Sequence, residues 1–407
     1  VRLLGAIVLG LAALSCSLRH DHELADLFIE GPDADAPEVP APDAADPGPD
    51  VPVDTTCPER SYIWIANSAE GTLSKLCTIT GQEMGRYATS PQGATGDPSR
   101  TSVNLHGDMV VTNGNAEPGP SSVTKFAAET ADCIDRDGDR LIRTSTGRDD
   151  VLPWGEDECM IWNTPLGSPT IPASCTATAW QGDEDPDSGL GGHVWIGCMV
   201  NQTIYVLDGD SGTVVASRRV PLNHFGGAMD GRGHFWTVAM GCVVGWCQLA
   251  RIDLETLDHE LVDVPCGYGI SVDGAGRIWT AGVGCINRHD PDTGDNVTAR
   301  PGIMHQHYGV AVDDRGSVWI AEHAGKVVRV SEADPVDRDE VSVGDPDAVS
   351  PIVGVAVDFH GYVWAVSQGG NTAIKIDPYT HEWESFPVGE GPNTYSDMTG
   401  YQLSILY

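Results

Sequence analysis

GISVDGAGRIWTA (269–281) reads as two short strands of alternating apolar residues closed by a tight turn, and the phrase recurs. GGAMDGRGHFWTV (226–238), GVAVDDRGSVWIA (309–321) and GVAVDFHGYVWAV (354–366) have the same form, GxxxDxxGxxW. Successive copies lie about 40 to 45 residues apart, the spacing of stacked supersecondary units. In DxxG the Asp carboxylate can accept the backbone N–H two residues on, and Gly can take the positive φ that closes the turn. The Trp offers a broad apolar ring for packing one sheet face on the next. A third strand follows each Trp and ends in an Asp-rich turn (ARIDLETLD, NRHDPDTG, AIKIDPYT), and HEWESFPVG reads as a fourth, outer strand. Four short strands per period describe one blade of an all-β propeller.

Weaker copies fill out the ring. SVNLHGDMVVTN (102–113) puts Asn104, Gly107 and Val110 in the Asp, Gly and Trp slots, and GGHVWIG (191–197) keeps Gly192 and Trp195. The first unit, SYIWIANSAEGTLSKL (61–76), begins at its second strand. Its missing piece lies at the far end of the chain, where TYSDMTGYQLSI (394–405) places Asp397, Gly400 and Leu403 in the three slots. The expectation is seven blades, the first completed by a C-terminal strand beside Tyr62–Asn67.

A chain of 407 residues exceeds the usual limit of one hydrophobic core, but a propeller has a small core between each pair of blades. The formal net charge of −36, from 59 acidic and 23 basic residues, repels phosphate backbones and argues against nucleic acid as a partner. Eleven cysteines suit an oxidising compartment. With Cys16 set aside, pairing neighbours in sequence gives Cys57–Cys77, Cys133–Cys159, Cys175–Cys198, Cys242–Cys247 and Cys266–Cys285. No CxxC pair or other zinc-ligand spacing competes with that reading.

The first residues, VRLLGAIVLGLAALSCS, are a short apolar secretory signal after Arg2. Ala13, Leu14, Ser15 and Cys16 resemble a bacterial lipobox, which implies cleavage before Cys16 and lipidation of its sulfur. Ser17 in place of Asp then implies the outer membrane or cell surface. The stretch 30–56 is almost entirely Pro, Asp, Ala, Gly and Val, too polar and too proline-rich to form a core. The expected organisation is a signal peptide (1–15), an acidic, disordered tether (16–60) and a propeller (61–407) carrying an insertion at about 127–174.

That insertion contains CIDRDGDRLIRTSTG (133–147). Asp135, Asp137 and Asp139 at alternate positions, with Gly138 between them, are what a hard oxygen-ligated cation needs from a short loop. The run resembles the start of an EF-hand or dockerin-type loop, which implies structural calcium. Arg140 stands where that pattern has its turn glycine and Thr146 where it has its closing Glu; Glu156, Asp157 or Glu158 would complete the shell. The alternative is a solvated acidic turn.

The repeat GVAVDxxGxVW with a third strand such as KVVRV or AIKID resembles virginiamycin B lyase and related propellers, and YIWIANSAEGTLSKL and MVVTNGN resemble YVTN-type propellers. The lyase resemblance implies a magnesium ion that polarises an ester carbonyl, a His base at the start of an inner strand and a Glu after the second strand. Glu322 in WIAEHAG fills the Glu position. Tyr308 occupies the matching inner-strand slot, with His307 one residue earlier, and a one-residue shift changes the face a side chain presents.

From the residues alone, the starts of the inner strands cluster His224, Phe225, Tyr268, His307 and Tyr308 around the channel mouth, a setting for an apolar or planar ligand or, with Glu322, a divalent metal. Three functions follow. The first is an envelope-anchored, monomeric propeller lipoprotein that binds a ligand or protein partner at its axial face and touches membrane only through its lipid. The second is a metal-dependent lyase acting on cyclic depsipeptides, with His307 as base and Glu322 as metal ligand. The third is a structural scaffold in envelope assembly.

Overall fold

The computed structural model describes residues 57–407 except 59, 115–119, 169–172, 241, 243–244 and 303; the signal, Cys16 and most of the tether therefore lie outside the described residues. Seven antiparallel sheets follow one another along the chain, six of four strands and one of three. Their inner strands are Pro98–Val103, Cys175–Trp180, His224–Met229, Gly269–Val272, His307–Val312 and Ile352–Val357 for blades two to seven. This is a seven-bladed β-propeller. Seven clusters of buried side chains correspond to the blade interfaces, as in the cluster joining Trp319 and Ala321 of blade six to Val355 and Val363 of blade seven.

The repeated phrase is a hydrogen-bonded unit. In blade six, Asp313 Oδ1 accepts the backbone N–H groups of Arg315 and Ser317, while Oδ2 accepts the indole N–H of Trp319 at 3.0 Å. Asp230–Trp236, Asp273–Trp279 and Asp358–Trp364 repeat it at 3.0, 2.8 and 2.8 Å. The turn glycines Gly233, Gly276, Gly316 and Gly361 all have positive φ. Each of these Trp residues also sits directly across from a cation on the third strand: Arg251, Arg288, Arg329 and Lys375. The charged ends lie 5.6–6.0 Å from the ring centroids, within cation–π range. The Asp slot thus does more than close a turn: it satisfies the one polar atom of a fully buried indole.

Closure of the ring follows the expectation, with a different ending. The C-terminal segment runs beside Tyr62–Asn67 and completes blade one: Asn393 N–H donates to Ala66 O, Ala66 N–H to Thr394 Oγ1 and Trp64 N–H to Met398 O. Asp397 makes the turn, accepting the amides of Thr399 and Gly400. Leu403 does not enter a strand. Residues Tyr401–Ser404 form one helical turn, and the tail crosses the channel at the DxxG end of the ring. Gln402 alone ties blades five and six, accepting from Ser271 Oγ and Val312 N–H and donating to Val272 O. Thr399 reaches Val357 O of blade seven, and Leu406 and Tyr407 pack on Gly231 and Gly182 of blades four and three.

The insertion expected at about 127–174 is shorter than that. Met160–Leu166 pairs with Ser121–Phe126 as the outer strand of blade two, so the excursion is internal to that blade and spans 127–159. The Cys133–Cys159 disulfide closes its base, and the other four bridges pair as the cysteine order predicts.

Candidate functional site at the channel mouth

Most inner strands open with a paired residue, then a register shift. The opening pairs are Pro98–Asn113, Cys175–Cys198, His224–Ala239, His307–Glu322 and Ile352–Ser367. In four of these strands the residue immediately after the pair is Ser99, Thr176, Phe225 or Val353, and in blade six it is Tyr308. The bulge settles the apparent one-residue displacement of His307: the extra residue is Tyr308, which meets the rings at the mouth, and His307 lies directly opposite Glu322. Among these pairs blade six alone sets two titratable side chains against each other.

His305, in the connection before the strand, joins them. Its Nδ1 lies 2.9 Å from Glu322 Oε1, its ring stacks on His307 at 6.2 Å, and the three residues each offer a ligand atom within 4.8 Å of the others. His307 Nδ1 is 3.0 Å from Gly282 O, an acceptor only, so Nδ1 carries the proton and Nε2 the lone pair. That Nε2 and Glu322 Oε2 are both buried and have no hydrogen-bond partner among the described residues. Burial lowers the His307 pKa from its ordinary value, which keeps the ring neutral and able to ligate. Two orphaned acceptors beside a partly exposed imidazole fit a divalent cation. The donor set, two imidazoles and one carboxylate, suits zinc-class ions better than the magnesium implied by the lyase resemblance.

His224 takes no part. It occupies the same strand position as His307, but Nδ1 contacts Thr237 Oγ1 at 2.7 Å and Nε2 contacts Val220 O at 3.2 Å. Both nitrogens are satisfied in a fully buried setting that pushes the pKa down to about 4. The expectation that it lines the mouth is corrected accordingly: it is a core histidine. Phe225, Tyr268 and Tyr308 do come together as expected, each ring edge-on to the next at 4.6 and 5.0 Å. Tyr395, from the closing segment, joins them with its hydroxyl 3.1 Å from that of Tyr268.

In the blade-two excursion Asp135, Asp137 and Asp139 also offer oxygens within 4.8 Å of one another. Asp135 wraps the turn by accepting the amides of Gly138 and Arg140, and Arg140 adopts φ 70° where the loop pattern has glycine. Glu158 is engaged elsewhere, its two oxygens accepting the amides of Arg136 and Arg143, and Asp157 is held by Ser145 and Thr144. Those two residues are therefore already committed to the loop's own backbone and hydroxyls.

No family model matches the chain, and no curated protein matches it in sequence. Solved structures do. Virginiamycin B lyase from Staphylococcus aureus superposes with a TM-score of 0.52 at 15% identity, over 72% of this chain and 85% of the lyase. A streptogramin B lyase structure gives 0.53 at 15% identity over 76% and 91%, and Citrobacter koseri AztD gives 0.51 at 11% identity over 82% and 96%. The likeness is one of fold. At these identities it carries no residue roles across.

Proposed function

We propose that the propeller binds a ligand at the open end of its axial channel, beside a divalent cation held by His305, His307 and Glu322. The supporting observation is a pair of buried ligand atoms without a hydrogen-bond partner among the described residues, His307 Nε2 and Glu322 Oε2, on residues paired directly across neighbouring strands. A polar group buried without a partner costs stability, and a cation relieves both at once. When bound, such an ion supplies Lewis acidity at the mouth. Zinc added to chelator-treated, dialysed protein should raise Tm by several degrees, with magnesium giving less. Glu322→Gln and His307→Ala should each abolish most of that rise; a wild-type protein indifferent to every divalent ion tried would remove the reading.

The second reading, a metal-dependent lyase for cyclic depsipeptides, is favoured by the His307–Glu322 register. It competes with the first for one atom. His307 Nε2 can ligate a metal or take a proton from substrate, not both, so in the lyase His307→Ala would abolish ester opening while leaving metal binding intact. Envelope anchoring belongs to the same proposal and rests on Ala13–Cys16. A palmitate analogue should label the full chain, and labelling that persists in Cys16→Ser would remove the anchor.

A further inference from the structure

Arg100 breaks a rule that the other blades keep. Two residues after the opening pair stand Ala177, Gly226, Gly309 and Gly354 in blades three, four, six and seven, a glycine, Gly269, begins the strand of blade five, and blade two has Arg100 two residues after its opening pair. The side chain is buried to 1% exposure. Its guanidinium carbon sits 3.1 Å from the centroid of Tyr395 and 4.5 Å from that of Phe225, so it reaches from blade two to rings of blades one and four. Rings satisfy the faces of a guanidinium but not its five N–H donors. Nε, Nη1 and Nη2 all lack an acceptor among the described residues. A buried cation with unmet donors is costly, and arginine cannot escape by giving up its proton.

We infer that the channel mouth takes a carboxylate on Arg100. The planar fork matches the two oxygens of a carboxylate, and the hydroxyls of Tyr268 and Tyr395, hydrogen-bonded to each other at 3.1 Å, leave one further O–H donor at the same place. Phe225 and Tyr308 supply apolar surface for the rest of the ligand. The formal charge of −36 repels anions at long range, so recognition must come from contact. That favours one negative charge on an apolar body over phosphates and polyanions. Tyr268 and Tyr308 are the partly exposed rings of the group.

This inference rests on the reading of the mouth as a ligand site, and its test is run without the metal. On protein treated with chelator and then dialysed, sodium benzoate, benzamide and sodium chloride are compared by thermal melting and near-ultraviolet circular dichroism at constant ionic strength. Benzoate well above its Kd should raise Tm by roughly 2–4 °C or more and change the tyrosine signal. Benzamide, with the same ring and no charge, should do neither. Arg100→Met should melt at or above the wild-type temperature and lose the benzoate response; Arg100→Gln serves if Met is not tolerated. Equal responses to benzoate and benzamide, a response kept in the Arg100 variants, or no response in the wild type would each overturn the carboxylate site, and a chloride response equal to that of benzoate would make it a halide site instead. His307→Ala should keep the benzoate response, which separates failure here from failure of the metal reading.

Discussion

Deleting residues 396–407 will cost the propeller most of its cooperative stability. The tail carries Met398, Tyr401 and Leu403, all buried, and makes hydrogen bonds to blades one, two, five, six and seven. Removing a large buried side chain costs about 2–5 kcal/mol, so three together account for on the order of 6 kcal/mol or more. That is comparable with the whole stability of an ordinary domain, about 5–15 kcal/mol. The truncated chain is expected to lose its near-ultraviolet signal and its sharp urea transition. A transition within about 1 kcal/mol of the full-length value would show that the tail is a decoration.

Asp397→Asn is expected to stabilise the protein in alkaline solution and leave it unchanged in acid. Burial pushes the Asp397 pKa up to about 6, and the amides of Thr399 and Gly400, with that of Val103, only partly oppose that. A group whose folded pKa lies above its unfolded value contributes stability that is complete below the unfolded pKa and is lost as pH rises through the folded one. The loss therefore runs from about pH 4 to just above pH 6 and reaches at most about 3 kcal/mol at pH 8. Asp397 lines the axial cavity beside the tail and is only partly buried, which reduces the cost, so this figure is an upper bound. Asn keeps the oxygen that accepts both amides and cannot ionise. Urea unfolding of the two proteins at pH 4 and pH 8 reads the difference directly; equal stabilities at pH 8 would place the carboxylate in contact with bulk water.

The architecture was legible because its cause is local and repeated. Asp313, Gly316 and Trp319 form a turn and its capped indole within seven residues, and the pattern survives in degenerate form wherever a small polar residue such as Asn104 can accept the same amides. Cysteine order sufficed for the bridges because each closes a loop within or beside one blade. The site was harder to read. Its His307–Glu322 pairing depends on a bulge, and a bulge leaves no mark in the spacing of a single strand. His305 lies in a connection with no periodicity, and nothing adjacent in sequence links it to Glu322. His224 misled for the complementary reason: at the same strand position, Thr237 and Val220 satisfy it, one from the neighbouring strand and one through a backbone carbonyl, which no side-chain pattern reveals. Arg100 carries no motif of its own, and nothing near it in sequence points to Tyr395, the ring it reaches.

The completion of blade one by the last residues of the chain has a consequence for the order of events at birth. Trp64 and Met398 are joined across more than three hundred residues, and the segment that seals the circle is synthesised after every blade it closes. Blades two to seven can each pair their own strands as they emerge, because those contacts are local. The ring cannot shut until residues 393–398 have been made, so the edge at Tyr62–Asn67 must wait until all the other blades are complete. Such a nascent chain stays open for as long as that segment is withheld, and it becomes a closed, protected body in a single late step.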